Sequence, residues 1–349
     1  MTVDAHVVSS GRQILSGDKW SAVEWEPDAT EGRIIQVTIP LPFSLRWVNA
    51  YMLQDGAAWT VIDPGLNTEL AQGVWDQVLA GLQLDYSCIT RIVLTHYHPD
   101  HLGLAGWMQQ RSGASVYLSE VGKQHMEMLW GEGQRMTNAM AALYREHGVP
   151  ELLLDQLKEH MESFVPLVHP LPAVTLMRDG DILLMGNRVW KAIETSGHAP
   201  GHISFYCEAH QLLMAGDHLL PQITPNVSLM PSSDPDPLYH FIKGLDKLAE
   251  LNVGLAFPGH RHPLQHAASR IEGIKQHHEE RLAAWLQWLV EEQATAYAIC
   301  SRAFGTVGKL TVHQFRFAMG ETLAHLRELE RRGVALRREV HGVVSWAAK

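Results

Sequence analysis

Short apolar runs of strand length dominate the first part of the chain. Residues 34–39, 48–53 and 59–62 have this pattern, and Gln54-Asp55-Gly56 between the last two runs is typical of a hairpin turn. Runs of this length, separated by turns, favour neighbouring strands. We therefore predict an antiparallel meander over residues 33–65.

Helical and strand-like patterns alternate after the meander. Residues 70–82 have helical spacing, residues 91–94 form an apolar run typical of a buried strand, and residues 102–110 again have helical spacing. Between this strand and the second helix lies a loop rich in histidine. The order of strand, loop and helix places that loop at the carboxyl end of the strand.

Residues 119–170 differ from the segments around them, because their apolar positions recur at roughly helical intervals, with a second helical segment at 151–164. We interpret this region as a helical insertion. Further strand patterns lie at 189–193, 203–207, 211–215 and 254–257, a loop at 220–237 and a helix at 238–251. Strands with flanking helices in both halves predict an α+β fold, in which two sheets pack together and helices lie outside.

The pattern changes after Pro263. One helical face is formed by Ile271, Ile274, His278, Leu282, Trp285 and Leu289. Two more helical stretches follow at 295–304 and 312–332, and residues 334–346 have a hairpin pattern. We therefore predict a large domain over residues 1–264 and a small winged-helix-like domain over residues 265–349.

Charge differs between these two parts. The 349 residues have a formal net charge of −10, yet the stretch from Gln265 to the end contains 12 Lys and Arg against 9 Asp and Glu. The acidic larger part argues against a surface covered in nucleic-acid contacts. Nucleic acid is therefore not the favoured partner.

Cysteine usage and apolar stretches indicate the compartment. Cys88, Cys207 and Cys300 are widely spaced and form no CxxC pair, so neither a disulfide framework nor a zinc ribbon is supported. No apolar stretch approaches the length of a membrane span, and the amino terminus lacks a basic segment followed by an apolar one. We expect a soluble cytoplasmic protein without a membrane partner.

Four potential metal ligands, His96, His98, Asp100 and His101, lie within six residues directly after the predicted buried strand. Imidazole nitrogens and carboxylate oxygens are ligands that divalent metals such as zinc prefer. In an extended segment the first three side chains share one side, whereas the fourth points elsewhere once the helix begins. Two neighbouring metals can then be bound.

Three further candidates, His198, Asp217 and His260, each follow a glycine at a point where a strand pattern gives way to a loop. Glycine allows the backbone to approach a crowded centre, and a strand end holds a ligand firmly. Each histidine alone has an ordinary structural explanation. Seven residues of these types at such positions together predict a metal site.

This set resembles the metallo-β-lactamase superfamily over residues 30–264. The resemblance implies a four-layer αβ/βα sandwich with two divalent metal ions at one edge. Zinc is the expected metal, and iron and manganese are the alternatives. It implies that one ion binds His96, His98 and His198, the other binds Asp100, His101 and His260, and Asp217 bridges them. It also implies that Asp63 supports the ligand loop without binding metal.

The aspartate at Asp217 and the histidine at His101 resemble the ligand pattern of the glyoxalase II, lactonase and ribonuclease branches. True β-lactamases lack the bridging aspartate. We therefore expect hydrolysis by a metal-bridging hydroxide. Asp100 and His202 are the candidate catalytic residues. Asp100 can relay a proton, and His202, the second histidine of a GHxxGH-like run, is expected to orient or close the site.

Two substrate classes follow from different parts of the chain. The GHxxGH-like run and the methionine-rich insertion favour a small-molecule acyl substrate, a thioester of the acyl-CoA or glutathione type. A metallo-β-lactamase core followed by a winged helix resembles the β-lactamase-like protein 2 group, which makes an endoribonuclease the alternative. Lactonase activity is a further alternative. A one-metal sulfur dioxygenase and a non-catalytic module both fit the full ligand set less well.

The tail allows more than one role. Its arginines alternate with Glu328, Glu330 and Glu339, which favours a solvated helix face over a phosphate-binding surface. A winged helix can equally form a homodimer contact or a wall of the substrate cleft.

Overall fold

The structure is a computed structural model that describes residues 11–25, 32–133, 135–305 and 309–349. Within these residues the strands are β1 (Arg12–Ser16), β2 (Ser21–Trp25), β3 (Ile34–Pro40), β4 (Trp47–Asp55), β5 (Ala58–Ile62), β6 (Ile89–Val93), β7 (Ser115–Ser119), β8 (Val174–Met177), β9 (Ile182–Met185), β10 (Arg188–Glu194), β11 (Ile203–Cys207), β12 (Leu212–Gly216), β13 (Leu255–Pro258), β14 (Ala294–Thr295), β15 (Ala335–Val340) and β16 (Val343–Ala348). The helices are α1 (Glu69–Gly81), α2 (Pro99–Leu102), α3 (Ala105–Ser112), α4 (Glu120–Trp130), α5 (Arg135–Glu146), α6 (Glu151–Glu162), α7 (Pro237–Ala249), α8 (Ala267–Glu291), α9 (Ala296–Phe304) and α10 (Val312–Arg331).

Two sheets form the larger part of the fold. In the first sheet β1 to β8 lie in chain order, antiparallel from β1 to β5 and parallel from β5 to β8. The predicted meander is thus present as β3, β4 and β5. The second sheet has the order β13-β12-β11-β10-β9, and its one parallel pair is β12 with β13.

The sheets pack face to face through a buried apolar cluster. Ile62 and Val93 of the first sheet belong to this cluster with Trp190, Phe205 and Phe257 of the second. Burial of such side chains is the main favourable contribution to folding. A second cluster joins the outer faces of the sheets to the helices. The expected four-layer sandwich is therefore confirmed.

The predicted helical insertion is the connection between two neighbouring parallel strands, β7 and β8. It contains three helices, α4, α5 and α6, where the sequence pattern had distinguished two helical regions. Met126, Met140 and Leu157 are buried on their inner faces. A connection of this length is long enough to extend beyond the sheet edge and cover an adjacent site.

The helix predicted over residues 102–110 is wrong as a single element, because the chain breaks into α2 and α3. The Leu104 amide donates to the Gly65 carbonyl oxygen at 2.7 Å. A Cβ atom on Gly103 would lie 2.6 Å from the carbonyl oxygens of Leu167 and Pro99. This close packing bends the chain immediately after the ligand loop.

The carboxyl-terminal elements predicted from the sequence are present: α8, α9 and α10, followed by the hairpin of β15 and β16. The winged-helix classification and the boundary at 264 stay predictions. In the described part of the chain no helix is both long and apolar enough to cross a membrane. The amino terminus, where we expected no secretory signal, falls in residues 1–10, outside the described residues.

Candidate metal centre

The seven predicted ligands lie at one edge of the sandwich, because each is close to a strand that begins or ends at that edge. His96 and His98 follow β6, while Asp100 and His101 lie in α2. His198 is in the loop between β10 and β11. Asp217 and His260 come directly after the parallel neighbours β12 and β13. The strand order therefore brings distant parts of the sequence to one place.

His96, His98 and His198 form the first group. One potential ligand atom from each lies within 4.8 Å of those from the other two. Their ring centroids are 4.5 to 5.1 Å apart. Three imidazoles this close are suited to a divalent transition metal.

Asp100, His101 and His260 form the second group, again within 4.8 Å. Asp217 lies between the two groups. Its Oδ2 is 3.6 Å from Nε2 of His198 and 3.3 Å from Nε2 of His260, and its Oδ1 is 3.4 Å from Nε2 of His101. The structure thus brings all seven predicted residues together, with Asp217 where a bridging ligand is expected.

Asp63 lies close to His96 and His101 as well, but its carboxylate is already engaged. Its Oδ1 accepts a 2.8 Å hydrogen bond from the Thr95 amide. Its Oδ2 accepts from the Thr95 hydroxyl at 2.7 Å and from His101 Nδ1 at 2.8 Å. Asp63 therefore holds the ligand loop, as the sequence led us to expect, and leaves His101 Nε2 facing the centre.

The same orientation recurs at three other histidines. Nδ1 of His198 donates to the Asn226 carbonyl at 2.7 Å, Nδ1 of His260 donates to the Trp47 carbonyl at 2.9 Å, and Nδ1 of His96 contacts the Thr95 hydroxyl at 2.9 Å. These bonds assign the proton to Nδ1 and leave Nε2 free to bind.

Among the residues that the structure describes, the atoms that face the centre are buried and find no hydrogen-bond partner. They are Nε2 of His96, His101, His198 and His260, and Oδ1 of Asp217. Buried polar atoms are otherwise almost always paired. Divalent cations would satisfy this donor set, so the residues present fit the metal ions that the fold implies.

Charge is arranged to match. Burial lowers the pKa of His96, His98 and His198, so all three are neutral ligands near pH 7. Burial also opposes the charged form of His260, but Asp217 and Asp100 outweigh it and raise its pKa to about 10. In the metal-free protein a proton on His260 therefore supplies the positive charge that these carboxylates require.

Two glycines permit this crowding. Gly216 has a φ of +52°, and a Cβ atom there would lie 2.4 Å from Nε2 of His202. A Cβ atom on Gly259 would lie 2.1 Å from Oδ1 of Asp217 and 2.6 Å from Cε1 of His101. A side chain at Gly259 would collide with the centre and one at Gly216 with His202 beside it, which agrees with the expected pattern of strand, glycine and ligand.

His202 lies behind the centre and does not line the cleft. Its side chain is fully buried. Its Nε2 accepts a hydrogen bond from the Asp217 amide at 3.2 Å, and its Nδ1 contacts the Thr195 hydroxyl at 2.8 Å. Of the two roles expected from the sequence, this geometry suits orientation of Asp217.

A cleft lies over the centre and divides into two adjoining cavities that share His98, Asp100, His198 and Asn226. The more open cavity has a volume of about 400 Å³. The insertion lines the more enclosed one with Leu129, Trp130, Met161 and Phe164, and α10 contributes His313, Arg316 and Phe317. Helix α10 is thus a wall of the cleft, one of the roles considered for the tail.

The cleft residues of α10, His313, Arg316 and Phe317, were not predicted individually from the sequence. Arg316 stands between the apolar Phe315 and Phe317 and has the spacing of an ordinary helix surface position. No local motif marks it. Only the packing of α10 against the larger domain gives it a place in the cleft.

Comparison with known proteins agrees with this geometry. Residues 46–260 match the model of the metallo-beta-lactamase superfamily, and residues 282–349 match that of a metallo-beta-lactamase-like C-terminal domain. A solved structure of a metallo-beta-lactamase family protein from Thermus thermophilus has a TM-score of 0.80 and 33% identity, covering 90% of this chain and 98% of that one.

Two curated relatives extend the comparison. A Bacillus subtilis protein named probable metallo-hydrolase YqjP is 26% identical over 305 residues, 85% of this chain and 92% of its own length. The atrochrysone carboxyl ACP thioesterase of Aspergillus fumigatus is 22% identical over 276 residues, 77% of this chain and 70% of its own length. The chain is accordingly a metallo-hydrolase that belongs to the metallo-beta-lactamase superfamily.

Proposed function

We propose that this protein hydrolyses thioesters of the acyl-CoA or glutathione type with two divalent metal ions. Zinc is the first candidate for both ions. The observation that carries the proposal is the enclosed apolar cavity that adjoins His98 and Asp100. An apolar cavity beside a hydrolytic centre suits an acyl chain better than a polynucleotide. The name of the Aspergillus fumigatus relative, a thioesterase, supports the same class.

His96, His98 and His198 would hold one ion, Asp100, His101 and His260 the other, and Asp217 both. When bound, such ions lower the pKa of water toward neutrality and polarise a substrate carbonyl. Asp100 borders both cavities, and its Oδ2 lies 3.2 Å from Nε2 of His260. It is therefore placed to accept the proton that the attacking water loses as the C–O bond forms and to pass it to the thiolate that leaves as the C–S bond breaks.

The insertion contributes the wall that would exclude water from the acyl group. Trp130 is buried, and its indole Nε1 donates to the Tyr97 carbonyl at 3.3 Å. The Trp130 carbonyl in turn accepts from His169 Nε2 at 2.8 Å. The first bond fixes the wall to the ligand loop, and the second holds Trp130 within the insertion, so the position of the apolar surface follows that of the centre.

The arginines near the end of α10 do not favour RNA. Arg327 lies 2.6 Å from Glu330, Arg331 lies 2.6 Å from Glu328, and Arg332 lies 2.6 Å from Glu279. An arginine committed to a carboxylate offers little to a phosphate backbone. Ribonuclease and lactonase activities are therefore the comparison activities in the test.

The decisive experiment combines elemental analysis with a substrate panel. Purified metal-replete protein is assayed on an acyl-CoA, a glutathione thioester, a lactone and RNA, each with and without chelator, and with Asp217→Ala as the control for contaminating enzymes. We expect about two ions per chain and chelator-sensitive thioester hydrolysis. RNA or lactone cleavage without thioester turnover would overturn the proposed substrate class.

A further inference from the structure

We propose that Arg316 binds an anionic group, a carboxylate, on the acyl part of the substrate. This inference rests on the proposed thioester hydrolase activity and names the class of acyl group that the enzyme would accept. Arg316 lies in α10 and lines the enclosed cavity together with Tyr97, His98 and Asp100. The residue therefore faces the space in which the acyl group would lie.

The surroundings of Arg316 are otherwise largely apolar. Side chains of this kind around the same cavity are Phe43, Leu129, Trp130, Met161, Phe164 and Phe317. His313, which also lines it, stacks on Phe43 at 4.9 Å between ring centroids, and burial lowers its pKa to about 4. His313 is therefore neutral near pH 7, and the guanidinium of Arg316 supplies the positive charge.

Within the residues that the structure describes, the guanidinium of Arg316 has no hydrogen bond or ion pair. Its Nε is buried without a partner, and its contact with a ring is to Phe317, 4.1 Å from the centroid. A guanidinium has five N–H donors, which a ring face does not satisfy. On the same helix Arg327 and Arg331 each reach a carboxylate at 2.6 Å.

Asp100 is the carboxylate whose charge acts on Arg316, and it is committed elsewhere. Asp100 lies 3.2 Å from His260 and belongs to the second ligand group. A metal ion there would take up its charge. The metal-loaded enzyme would then hold a guanidinium without a counterion in an apolar cavity, which costs free energy. A substrate anion bound to the guanidinium would remove this cost.

A thioester has two sources of negative charge, the acyl group and the thiol carrier. The carrier needs a route to solvent, and the more open cavity of about 400 Å³, whose lining includes the exposed Ser44, provides one. Arg316 borders the enclosed cavity and is absent from the lining of the open one. We therefore assign the anion to the acyl end, which makes the substrate the thioester of a dicarboxylic acid with an apolar body.

The test crosses two acyl groups with two carriers. Adipoyl and hexanoyl thioesters, which differ by the terminal carboxylate, are each presented on coenzyme A and on N-acetylcysteamine, which has no phosphate. We expect kcat/KM to favour adipoyl over hexanoyl by about tenfold to a hundredfold on either carrier. Arg316→Gln is expected to bring this ratio near one, and Arg316→Lys to retain part of it.

Arg302→Gln is the matched control, because it removes a charge from the same domain at a half-exposed position paired with Glu291. It should leave the ratio unchanged. A preference that follows coenzyme A instead of the acyl carboxylate would overturn the assignment, as would an adipoyl preference that survives in Arg316→Gln.

A binding measurement separates this inference from the proposed function. Calorimetry with adipate and hexanoate on the metal-loaded protein requires no turnover. Tighter binding of adipate by wild type, lost in Arg316→Gln with metal content and melting temperature retained, supports the role of Arg316 even if no thioester is hydrolysed. Equal binding of the two acids by wild type would overturn it even if thioesters are hydrolysed.

Discussion

Nδ1 of His198 donates a 2.7 Å hydrogen bond to the carbonyl oxygen of Asn226. The side-chain amide nitrogen of Asn226, Nδ2, donates to the Phe317 carbonyl at 3.2 Å and to Glu321 Oε2 at 2.9 Å. One loop residue thus connects a ligand candidate to helix α10. The position of the carboxyl-terminal domain is consequently coupled to the geometry of the metal centre.

Asn226→Ala removes the side-chain half of this connection and leaves the carbonyl in place. We expect the free energy of unfolding to fall by about 1–3 kcal/mol, because the partners on α10 lose their hydrogen bonds. Metal affinity should fall about tenfold as the support of His198 loosens. Urea unfolding and chelator competition measure the two effects. The exposed Asn138→Ala on α5 is the control, and equal behaviour of the two variants would contradict the coupling.

Asp217→Ala is expected to lower both metal content and turnover, because Asp217 contacts His101, His198 and His260. We expect the loss in kcat/KM to exceed about a hundredfold, more than the usual effect of a supporting residue. Elemental analysis and steady-state kinetics measure it. Retention of about two ions and of activity would show that Asp217 does not bridge them.

Asp63→Asn changes the acceptor that holds both Thr95 and His101. An amide accepts at one atom only, so one of these donors loses its partner. We expect metal affinity to fall about tenfold to a hundredfold with the overall fold retained. Competition with a chromogenic chelator and circular dichroism measure these properties. Asp155→Asn on the exposed face of α6 should leave affinity unchanged, and an unaltered affinity in Asp63→Asn would refute the supporting role.

His202→Phe should lower kcat and leave KM nearly unchanged, because His202 touches Asp217 and not the cleft. The expected decrease in kcat is about tenfold to a hundredfold. Steady-state kinetics on one thioester separates the two parameters. A raised KM with normal kcat would instead give His202 contact with substrate.

The stability of the metal-free protein should fall as the pH rises above neutrality. Burial opposes protonation of His260, yet Asp217 and Asp100 raise its pKa to about 10, against about 6.5 in the unfolded chain. Its stabilising contribution is complete below about pH 6.5 and is lost as the pH rises through about 10. His101 changes in the same direction, because the same carboxylates and Asp63 outweigh its burial and raise its pKa.

Urea unfolding in chelator between about pH 7 and about pH 9.5 measures this effect. We expect a steady decrease in the free energy of unfolding for wild type and a smaller one for His260→Gln. Saturation with metal should abolish most of the dependence, because the ion replaces the proton. A flat profile for metal-free wild type would contradict the charge arrangement of the centre.

Much of the fold and of the centre was predictable because local chemistry determines it. The apolar runs that became β3 to β6, and the glycines before Asp217 and His260, mark strand ends directly in the sequence. Parallel pairing of β12 with β13 then places those two residues side by side. The ligand set needed only this strand-end rule and the resemblance.

Long-range packing was not predictable in the same way. The break after α2 depends on the Gly65 carbonyl and on residues near Leu167, which are distant in sequence. In the sequence Arg316 looks like the other arginines of α10. Only the docking of that helix places Arg316 at the cavity, whereas Arg327 and Arg331 pair with glutamates. Such features depend on contacts that no local pattern encodes.

The cleft is assembled from segments far apart in the chain, with its ligands on strand ends and its walls on residues 120–164 and on α10. A substitution in either wall therefore alters which molecules fit without removing a single ligand. After duplication of such a gene, the two copies can come to accept different molecules through changes confined to these walls while inheriting the same reaction. Selection on substrate range and selection on chemistry would act on separate stretches of the gene.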